Sequence, residues 1–359
     1  MKNNAITSKG KVDISRHLIY QHSPLKDALK SLNALSGDIM TLFVIDNDNK
    51  MVGTLTDGDV RRGLIADYAL DTPIERIMYR NFRFLRSDAD NFRYLRELKR
   101  SQINLIPIID SENRIIDAID LRTTINLLPM DAVLMAGGRG ERLRPLTLET
   151  PKPLLKIGNK AIIDYNVDEL IRNGVDNIFV TVNYLHEQIE THFSQPRSGA
   201  EIKCILEPKR LGTIGSVALI DDLKHDHVLV MNSDLLTTLS YEDMFAWHIE
   251  HEADLTMAVI PYTVSIPFAI IDHDLDSVKG LIEKPTHNYL ANAGIYIIRR
   301  QMLDKIKSGE YLDAPDFIEQ LIADGRKVSH FRINGTWIDI GSPEDFKYAS
   351  ELMTRPDFR

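Results

Sequence analysis

The stretch LMAGGRGERLRPLTLETPKPLL, from Leu134 to Leu155, carries the strongest fold signal in this chain of 359 residues. It follows a short apolar segment and begins with closely spaced glycines, after which arginine and lysine side chains gather. Glycines let backbone N–H groups approach an anion closely, and the cations supply countercharge. A strand followed by such a loop predicts a phosphate site, and a triphosphate is the ligand that fits several cations.

Two common phosphate motifs do not fit this loop. A P-loop places Lys and then Ser or Thr after its last glycine, whereas Gly140 is followed by Glu141 and Arg142. A dinucleotide-binding fingerprint has a further glycine three residues later, where this chain has Leu143. If this stretch binds no ligand, it is a basic surface loop with a tight turn. That interpretation does not explain why the PLT and PKP segments follow the glycines.

Short apolar segments alternate with amphipathic ones downstream of the loop. DAVLMA, NIFVTVNY, HVLVMNSD and ANAGIYIIR are rich in Val, Ile and Leu, which is typical of buried strands. This alternation predicts an α/β fold with a Rossmann-like, mixed but mostly parallel sheet that binds ligands at the carboxyl ends of its strands. We assign residues 131–350 to this domain.

Residues 12–127 contain an internal repeat, with an offset of 64 residues from Asp46 to Asp110. TLFVIDNDNKMVGTLT (Thr41 to Thr56) and LIPIIDSENRIIDAID (Leu105 to Asp120) each read as a strand, an acidic turn and a second strand. Helix-like segments precede both copies and follow the first. The repeat predicts two β-α-β-β-α units packed face to face.

Length and composition indicate a globular protein of two or three domains, 43% hydrophobic and 26% charged. The net charge of −9 argues against nucleic-acid and membrane partners. The chain shows no secretory signal and no apolar run long enough to span a membrane, so we expect a cytoplasmic protein, and we expect a homo-oligomer. Its single cysteine, Cys204, excludes an intrachain disulfide and a multi-cysteine zinc site.

The glycine-rich stretch resembles the signature of sugar-1-phosphate nucleotidyltransferases, Gly-Gly-x-Gly-x-Arg-Leu-x-Pro-Leu-Thr followed by Pro-Lys-Pro. The resemblance implies transfer of a nucleotidyl group from a nucleoside triphosphate to a sugar 1-phosphate, with release of pyrophosphate. Because the attacking phosphate oxygen is already ionised, the protein has to align the reactants and neutralise charge. Further family-like segments follow in order: LGTIGS (Leu211 to Ser216), NSD (Asn232 to Asp234), EKP (Glu283 to Pro285), NAGIY (Asn292 to Tyr296) and GTWIDIGSPEDF (Gly335 to Phe346).

The resemblance also implies roles for individual residues. Arg142 and Lys152 would hold the triphosphate, Asp234 and Asp339 would hold Mg²⁺, which prefers oxygen ligands, and Lys284 would bind the sugar phosphate. Taken alone, Asp234 is a turn residue after a strand, and Lys284 is half of a solvated charge pair. The remaining nucleotide-binding candidates are Ala136, Gly137, Gly138, Arg139, Gly140, Glu207, Gly212 and Thr213, and the remaining sugar-phosphate candidates are Gly215, Glu283, Asn292 and Gly294.

Glu207 is our candidate for reading the base. A carboxylate offers only acceptors, which match the adjacent N1–H and N2–H₂ donors of guanine, so GTP is the favoured substrate. Uridylyl or cytidylyl transfer and mannose-1-phosphate guanylyl transfer are alternatives within the same fold. A non-catalytic nucleotide sensor is the alternative from another class of protein.

The N-terminal repeat resembles a pair of cystathionine β-synthase (CBS) domains. In that family a Thr and an Asp three residues later, here Thr56 and Asp59, bind the ribose of an adenine nucleotide. The second copy has Asp120 and Thr123 instead and lacks this pair. Without a ligand, Thr56 is a helix cap and Asp59 complements the helix dipole. Proteins that join such a pair to this transferase resemble guanylyltransferases of bacterial legionaminic acid pathways, which implies glucosamine 1-phosphate and surface glycan biosynthesis.

Overall fold

The structure is a computed structural model, and it describes residues 12–89, 91–98, 103–122, 127–197 and 200–353. Within these ranges the chain divides into two compact units between Pro129 and Met130, and the short stretches Glu169–Asn177 and Gln195–Glu201 group with the first unit. Each unit has its own apolar core. None of the helices in these ranges combines the length and apolar character that a membrane span needs.

The first unit contains two three-stranded sheets, one for each copy of the repeat. In each sheet the first two strands are parallel and the last two form an antiparallel hairpin. The second copy's expected final helix falls on residues that include 123–126, which lie outside the described ranges. The elements are β1 (Leu18–Tyr20), α1 (Leu25–Ala34), β2 (Thr41–Ile45), β3 (Met51–Thr56), α2 (Asp57–Ile65), β4 (Leu85–Arg86), α3 (Phe92–Leu98), β5 (Leu105–Ile109) and β6 (Ile115–Asp120), with 3₁₀ turns at Ile14–His17 and Ile74–Arg76.

The two hairpin turns repeat each other in detail. Asp46 Oδ1 accepts two backbone N–H groups at 2.9 Å, and Asp110 Oδ1 accepts two at 2.8 and 2.9 Å. Asn49 and Asn113 occupy the left-handed region at φ of 60° and 63°, which Asn tolerates better than most residues. Apolar residues of both copies share one core, which includes Phe43, Met51, Leu105 and Ile109. The repeat and its face-to-face packing are present in the structure.

The second unit is built around a seven-stranded sheet with the order β11-β10-β7-β12-β17-β14-β18. Pairing is parallel for β10–β7, β7–β12 and β14–β18 and antiparallel where β17 lies between β12 and β14. Its strands are β7 (Asp131–Ala136), β8 (Lys156–Ile157), β9 (Lys160–Ala161), β10 (Asn177–Val182), β11 (Glu201–Leu206), β12 (His227–Asn232), β13 (Leu235–Thr237), β14 (Leu255–Ser265), β15 (Ile270–Asp274), β16 (Ser277–Ile282), β17 (Thr286–Arg299), β18 (Val328–Arg332) and β19 (Trp337–Asp339).

Helices cover this sheet, and their apolar residues pack against it, as the alternating pattern predicts. Phe317 and Leu321, for example, join Val133, Val230 and Ile298 in one buried cluster. The mixed, mostly parallel α/β fold is therefore confirmed. The helices are α4 (Ile162–Arg172), α5 (His186–His192), α6 (Tyr241–Glu250), α7 (Arg300–Leu303), α8 (Ala314–Ala323) and α9 (Pro343–Leu352), with 3₁₀ turns at Glu141–Leu143, Lys152–Leu154 and Gly215–Leu219.

The predicted strand ANAGIYIIR begins at Ala291, whereas β17 begins at Thr286. β14 and β17 both continue past the main sheet as an antiparallel pair that reaches Ser265 and Thr286. The smaller hairpin β15–β16 follows beyond them. Alternating polar and apolar residues permit this extension, but they do not predict where a strand leaves its sheet.

Candidate active site

The glycine-rich loop leaves the carboxyl end of β7, a central strand of the sheet. Ala136 is buried, and Gly138 and Arg139 are exposed. Gly140 lies in the left-handed region at φ of 60°, and a Cβ there would stand 2.9 Å from a methyl carbon of Thr147. The Thr147 hydroxyl donates to the Gly140 carbonyl oxygen at 2.8 Å. The predicted phosphate loop is thus a tight turn at the carboxyl end of β7.

Glu207 lies directly against this loop. A Cβ on Gly137 would stand 2.6 Å from Glu207 Oε1, so any other residue here would displace this carboxylate. The carboxylate accepts from the Leu211 N–H at 3.3 Å and from the hydroxyls of Thr181 and Ser216. Burial raises the pKa of Glu207 above its ordinary value. The structure therefore places Glu207 beside Gly137, with part of its acceptor capacity used within the protein.

Three predicted catalytic residues meet at the short sheet formed by β13 and β19. Antiparallel pairing sets Leu235 opposite Asp339, so Asp234 and Asp339 become neighbours although they are far apart in sequence. The buried Lys152 ammonium contacts Asp234 Oδ2 and lies 3.8 Å from Asp339 Oδ1. The structure brings together one cation and two carboxylates from three separate segments.

One oxygen of this cluster lacks a partner. Asp234 Oδ1 is buried and makes no hydrogen bond with any described residue. Burial and the charge of Asp234 raise the pKa of Asp339, against the opposing effects of Lys152 and Arg142. Two adjacent carboxylates with an unused oxygen match the ligand preference of Mg²⁺ for oxygen atoms. The residues fit this ion. The described residues contain no group of three or more His, Cys, Asp or Glu side chains that could hold a metal.

Arg142 reaches the same cluster from the glycine-rich loop. A Cβ on Gly341 would stand 3.0 Å from one of its guanidinium nitrogens, so this glycine leaves space for the arginine. Gly341 follows Asp339 by two residues. Arg142 is exposed, and its charge acts on Asp339. The positively charged Arg142 side chain thus lies close to Asp339.

Two residues that sequence reasoning missed hold the Asp234 segment in place. The buried Asn166 amide, on α4, donates to the carbonyl oxygen of Leu235 at 2.9 Å and to that of Ser233 at 3.4 Å. The Ser233 hydroxyl donates to the Met135 carbonyl oxygen at 2.8 Å. A buried amide inside an apolar helix stripe is a signal for Asn166, since buried polar groups need partners.

Gly294 lies beside the NSD segment. It is in the left-handed region at φ of 71°, and a Cβ there would stand 2.5 Å from the Asn232 amide nitrogen. The Asn292 side chain accepts from the Gly294 N–H at 3.0 Å and donates to the Tyr296 hydroxyl at 2.8 Å. These two sugar-site candidates therefore lie next to Asn232, and the Asn292 amide is engaged within its own strand.

Glu283 and Lys284 lie in the bend between β16 and β17. Their side chains are 73% and 68% exposed, and their charged atoms are 3.8 Å apart. Thr286 and Gly294 are eight positions apart on β17, about 26 Å at the usual rise of a strand. No hydrogen bond or ion pair among the described residues joins Lys284 to Asp234 or Asp339. The structure does not bring this predicted pair to the carboxylates.

The LGTIGS loop packs tightly against the segment before α8. A Cβ on Gly212 would stand 2.3 Å from the Leu312 carbonyl oxygen, and one on Gly215 would stand 2.7 Å from that of Glu310. The Thr213 N–H donates to Asp313 Oδ1 at 2.9 Å, and its hydroxyl accepts from the Ala314 N–H at 2.8 Å. These contacts explain the residue types locally, independently of any nucleotide.

In the first unit, Thr56 and Asp59 form a capping box at the start of α2. The Thr56 N–H and hydroxyl donate to Asp59 Oδ2 at 2.8 and 2.7 Å, and Arg62 donates to Asp59 Oδ1 at 2.5 Å. In the second copy, Asp120 accepts from Arg122, and Thr123 lies outside the described residues. The structure therefore shows Thr56 and Asp59 acting as a helix cap. Ribose binding by these two residues stays a prediction.

Comparisons with known proteins point to one family for the second unit. Residues 131–355 match the family model described as nucleotidyl transferase, and residues 16–66 match the CBS domain model. The mannose-1-phosphate guanylyltransferase catalytic subunit beta of Danio rerio is 32% identical over 231 residues, which are 60% of this chain and 62% of that protein. A mannose-1-phosphate guanyltransferase of Schizosaccharomyces pombe is 31% identical over 227 residues, with the same shares.

The alignments leave part of these relatives unmatched, since the chain spans about 62% of their length. A solved structure from Bacillus anthracis, provisionally assigned as a glucose-1-phosphate thymidylyltransferase, aligns with a TM-score of 0.51 at 21% identity. The alignment covers 62% of this chain and 94% of that one, which shows a shared fold. Because the family model matches well over half of its residues, this chain belongs to the nucleotidyl transferase family.

Proposed function

We propose that this protein transfers a guanylyl group from GTP to a sugar 1-phosphate, forming a GDP-sugar and pyrophosphate. The observation that carries the proposal is the cluster of Lys152, Asp234 and Asp339 at the sheet edge beside the glycine-rich loop. Two carboxylates, a buried ammonium and a glycine-rich loop are what a reaction between two phosphates needs. We assign catalysis to residues 131–350 and a regulatory or interaction role to residues 12–127.

In this proposal the chain's own residues position phosphates and offset charge. The backbone of Gly137 to Gly140 surrounds the triphosphate, with Arg142 near the departing pyrophosphate and Lys152 on the phosphate that is attacked. Asp234 and Asp339 would hold Mg²⁺, which supplies charge neutralisation at the phosphate oxygens. The sugar phosphate attacks with an oxygen that is already ionised, so no side chain has to remove a proton. Asn166 and Ser233 keep Asp234 in register through its neighbours' backbone.

The proposed base and the proposed sugar are supported by separate arguments. Glu207 lies beside Gly137, where an acceptor-only side chain favours guanine, and the two relatives from Danio rerio and Schizosaccharomyces pombe are guanylyltransferases by name. The same names favour mannose 1-phosphate. We propose glucosamine 1-phosphate as the second candidate sugar, because the transferase is combined with a CBS pair. This sugar would give the protein a role in legionaminic acid and surface glycan biosynthesis. The proposed ligand of the CBS pair is an adenine nucleotide bound at Thr56 and Asp59.

Pyrophosphate release from a panel of substrates tests the proposal. Each of GTP, UTP, CTP and dTTP is paired with mannose, glucosamine or glucose 1-phosphate in the presence of Mg²⁺, with Asp234→Asn as the matched inactive control. We expect GTP to give the highest kcat/KM with one of the first two sugars. Release with UTP or CTP alone would replace the base assignment, and no release from any pair would favour the nucleotide sensor.

A further inference from the structure

A short segment, defined here as the arm (residues 144–150), joins the two cations that are proposed to hold the triphosphate. It leads from Arg142 in the glycine-rich loop to Lys152. Among these seven described residues only Thr147 is buried, and the two leucines are 47% and 53% exposed. Because little apolar surface of the arm is buried, its position depends largely on hydrogen bonds.

Side chains at and just before the start of α5 bind this arm through its backbone. The Tyr184 hydroxyl lies 3.2 Å from the carbonyl oxygen of Thr147 and 3.1 Å from that of Leu148, so both oxygens share its proton. The Gln188 amide donates to the carbonyl oxygen of Glu149 at 2.8 Å. Three consecutive carbonyl oxygens of the arm therefore accept from one turn of the chain.

Thr147 connects this contact to the glycine-rich loop. Its carbonyl oxygen accepts from Tyr184, and its own hydroxyl donates to the Gly140 carbonyl oxygen at 2.8 Å. A Cβ on Gly140 would stand 2.9 Å from the Thr147 methyl carbon and 3.1 Å from Lys152 Cβ, so the loop, the arm and Lys152 pack against one another. The arm cannot move away without losing its bond to Gly140 and its packing beside Lys152.

The same turn also supports the candidate base reader. The Asn183 amide donates to the carbonyl oxygen of Glu207 at 3.0 Å, and the Glu207 N–H donates to the Val182 carbonyl oxygen at 2.8 Å. Leu185 lies in the left-handed region at φ of 51°, which is uncommon for leucine. The consecutive residues Asn183 and Tyr184 thus serve two different parts of the candidate site, the base reader and the arm.

We infer that Asn183, Tyr184 and Gln188 are positioning residues of the active site. Tyr184 and Gln188 align the arm and its two flanking cations with the triphosphate, and Asn183 aligns Glu207 with the base. The inference rests on the proposed function, which assigns the triphosphate and the base to these places. The bonds described here run to backbone carbonyl oxygens, so the three side chains act through the position of the backbone. Such alignment matters because a displacement of about 1 Å can lower a rate about 100-fold.

Two substitutions that each remove one anchoring side-chain group separate the two assignments. Tyr184→Phe keeps the ring, and we expect it to lower kcat/KM about 10-fold with GTP, the scale of one hydrogen bond. Inosine triphosphate has the same phosphates but lacks the amino group of guanine, so kcat/KM with it should fall by the same factor. Asn183→Ala should instead lower the ratio of kcat/KM for GTP to that for inosine triphosphate about 5-fold, because Glu207 loses its alignment with the amino group.

The control is Tyr348→Phe on α9, where the tyrosine is 53% exposed, and it should match the natural chain. The KM for the sugar 1-phosphate should stay unchanged in all three variants. A purely structural role of the turn would give Tyr184→Phe and Asn183→Ala the same kinetic signature. That result, or full activity of Tyr184→Phe with GTP, overturns the inference.

Amide hydrogen exchange on the ligand-free full chain tests the alignment without any enzyme activity. The N–H groups of Leu146 and Leu148 each donate to the carbonyl oxygen three residues earlier. Tyr184→Phe should speed exchange at these two amides about 5-fold and leave β12 unchanged, whereas Tyr348→Phe should change neither.

Unchanged exchange in the arm would mean that the Tyr184 hydroxyl does not hold it, and faster exchange throughout the second unit would mean a general loss of stability. Either result overturns the inference. If no pair of nucleotide and sugar phosphate releases pyrophosphate, the proposed function fails, and the exchange measurement still decides whether Tyr184 positions the arm.

Discussion

The backbone N–H of Ile340 donates to the carbonyl oxygen of Asp234 at 3.2 Å. Ile340 follows Asp339, so this bond links the chain segments of the two predicted metal ligands, Asp234 and Asp339. Together with the pairing of Leu235 and Asp339, this bond fixes the separation of the two carboxylates through the backbone. The folded backbone therefore holds Asp234 and Asp339 side by side without a bound ligand.

Replacing either carboxylate should stop the proposed reaction without unfolding the chain. We expect Asp234→Asn and Asp339→Asn each to lower kcat by about 100-fold or more, the usual cost of removing one electrostatic group from an active site. Steady-state pyrophosphate release measures this. Asp324→Asn is the control, because Asp324 pairs with Lys305 at the surface. Full activity in Asp339→Asn would remove this residue from the site.

Asp339 should also make stability depend on pH. Burial and the nearby Asp234 raise the pKa of Asp339 above 3.8, so the folded chain binds this proton more tightly than the unfolded chain. The stabilisation is complete below pH 3.8 and is lost as pH rises through the higher folded pKa. Without metal, Asp339→Asn should therefore melt at a higher temperature than the natural chain at pH 7, and the difference should shrink towards pH 4. Added Mg²⁺ should stabilise only the natural chain, and equal shifts in both proteins would contradict the metal assignment.

Glu207→Gln should shift the choice of base. An amide presents a donor where guanine also has donors, so we expect kcat/KM for GTP to fall about 10- to 100-fold relative to UTP or dTTP, as for loss of a charge-assisted hydrogen bond. The ratio of specificity constants is the measurement, with thermal unfolding as the check on folding. If Glu207→Gln lowers the unfolding temperature but leaves the ratio of specificity constants unchanged, Glu207 only supports the loop at Gly137 and does not read the base.

The buried pair His227 and His248 should weaken the fold in acid. Burial lowers the pKa of His248 to about 3, and its Nδ1 lies 2.8 Å from the Thr256 hydroxyl. Because the unfolded chain takes up the proton near pH 6.5, stability is lost as pH falls below that value, by about 2 kcal/mol from pH 7 to pH 5. Urea unfolding at both pH values measures the loss. His248→Gln should show a smaller difference, and an equal one would assign the acid sensitivity to other groups.

Asp59→Ala should abolish binding of AMP or ATP if the first CBS copy holds an adenine nucleotide. Calorimetry on the full chain measures this. The substitution also removes a helix cap, which costs about 1 kcal/mol, so a matched control is needed. Asp57→Ala removes a neighbouring carboxylate that pairs with Arg61 on the same helix, and it should leave binding intact. Absence of binding to the natural chain would leave the N-terminal repeat as a packing module.

Patterns along the chain predict the sheet and the repeat because each is encoded locally. The strand periodicity of β7, β10 and β12 and the glycines after β7 are visible within a few residues. The meeting of Asp234 and Asp339 is predicted only through a family resemblance, since the β13–β19 pairing that creates it spans about a hundred residues. The contact of Lys152 with these carboxylates is not predicted by any pattern in the sequence. Asn166 was missed because its role depends on a backbone carbonyl far away in sequence. The position of Lys284 depends on how far β14 and β17 stay paired, and no local pattern sets that length.

The close packing of the LGTIGS loop under Leu312 links two distant parts of the chain mechanically. Leu312 exchanges backbone hydrogen bonds with Leu211, Ile214 and Gly215, worth about 1 kcal/mol each. Thr213 adds further bonds to Asp313 and Ala314 at the start of α8. A ligand that moved the loop away from α8 would have to break all of these bonds. A substitution at Asp313 removes a partner of Thr213, 100 positions earlier in the chain.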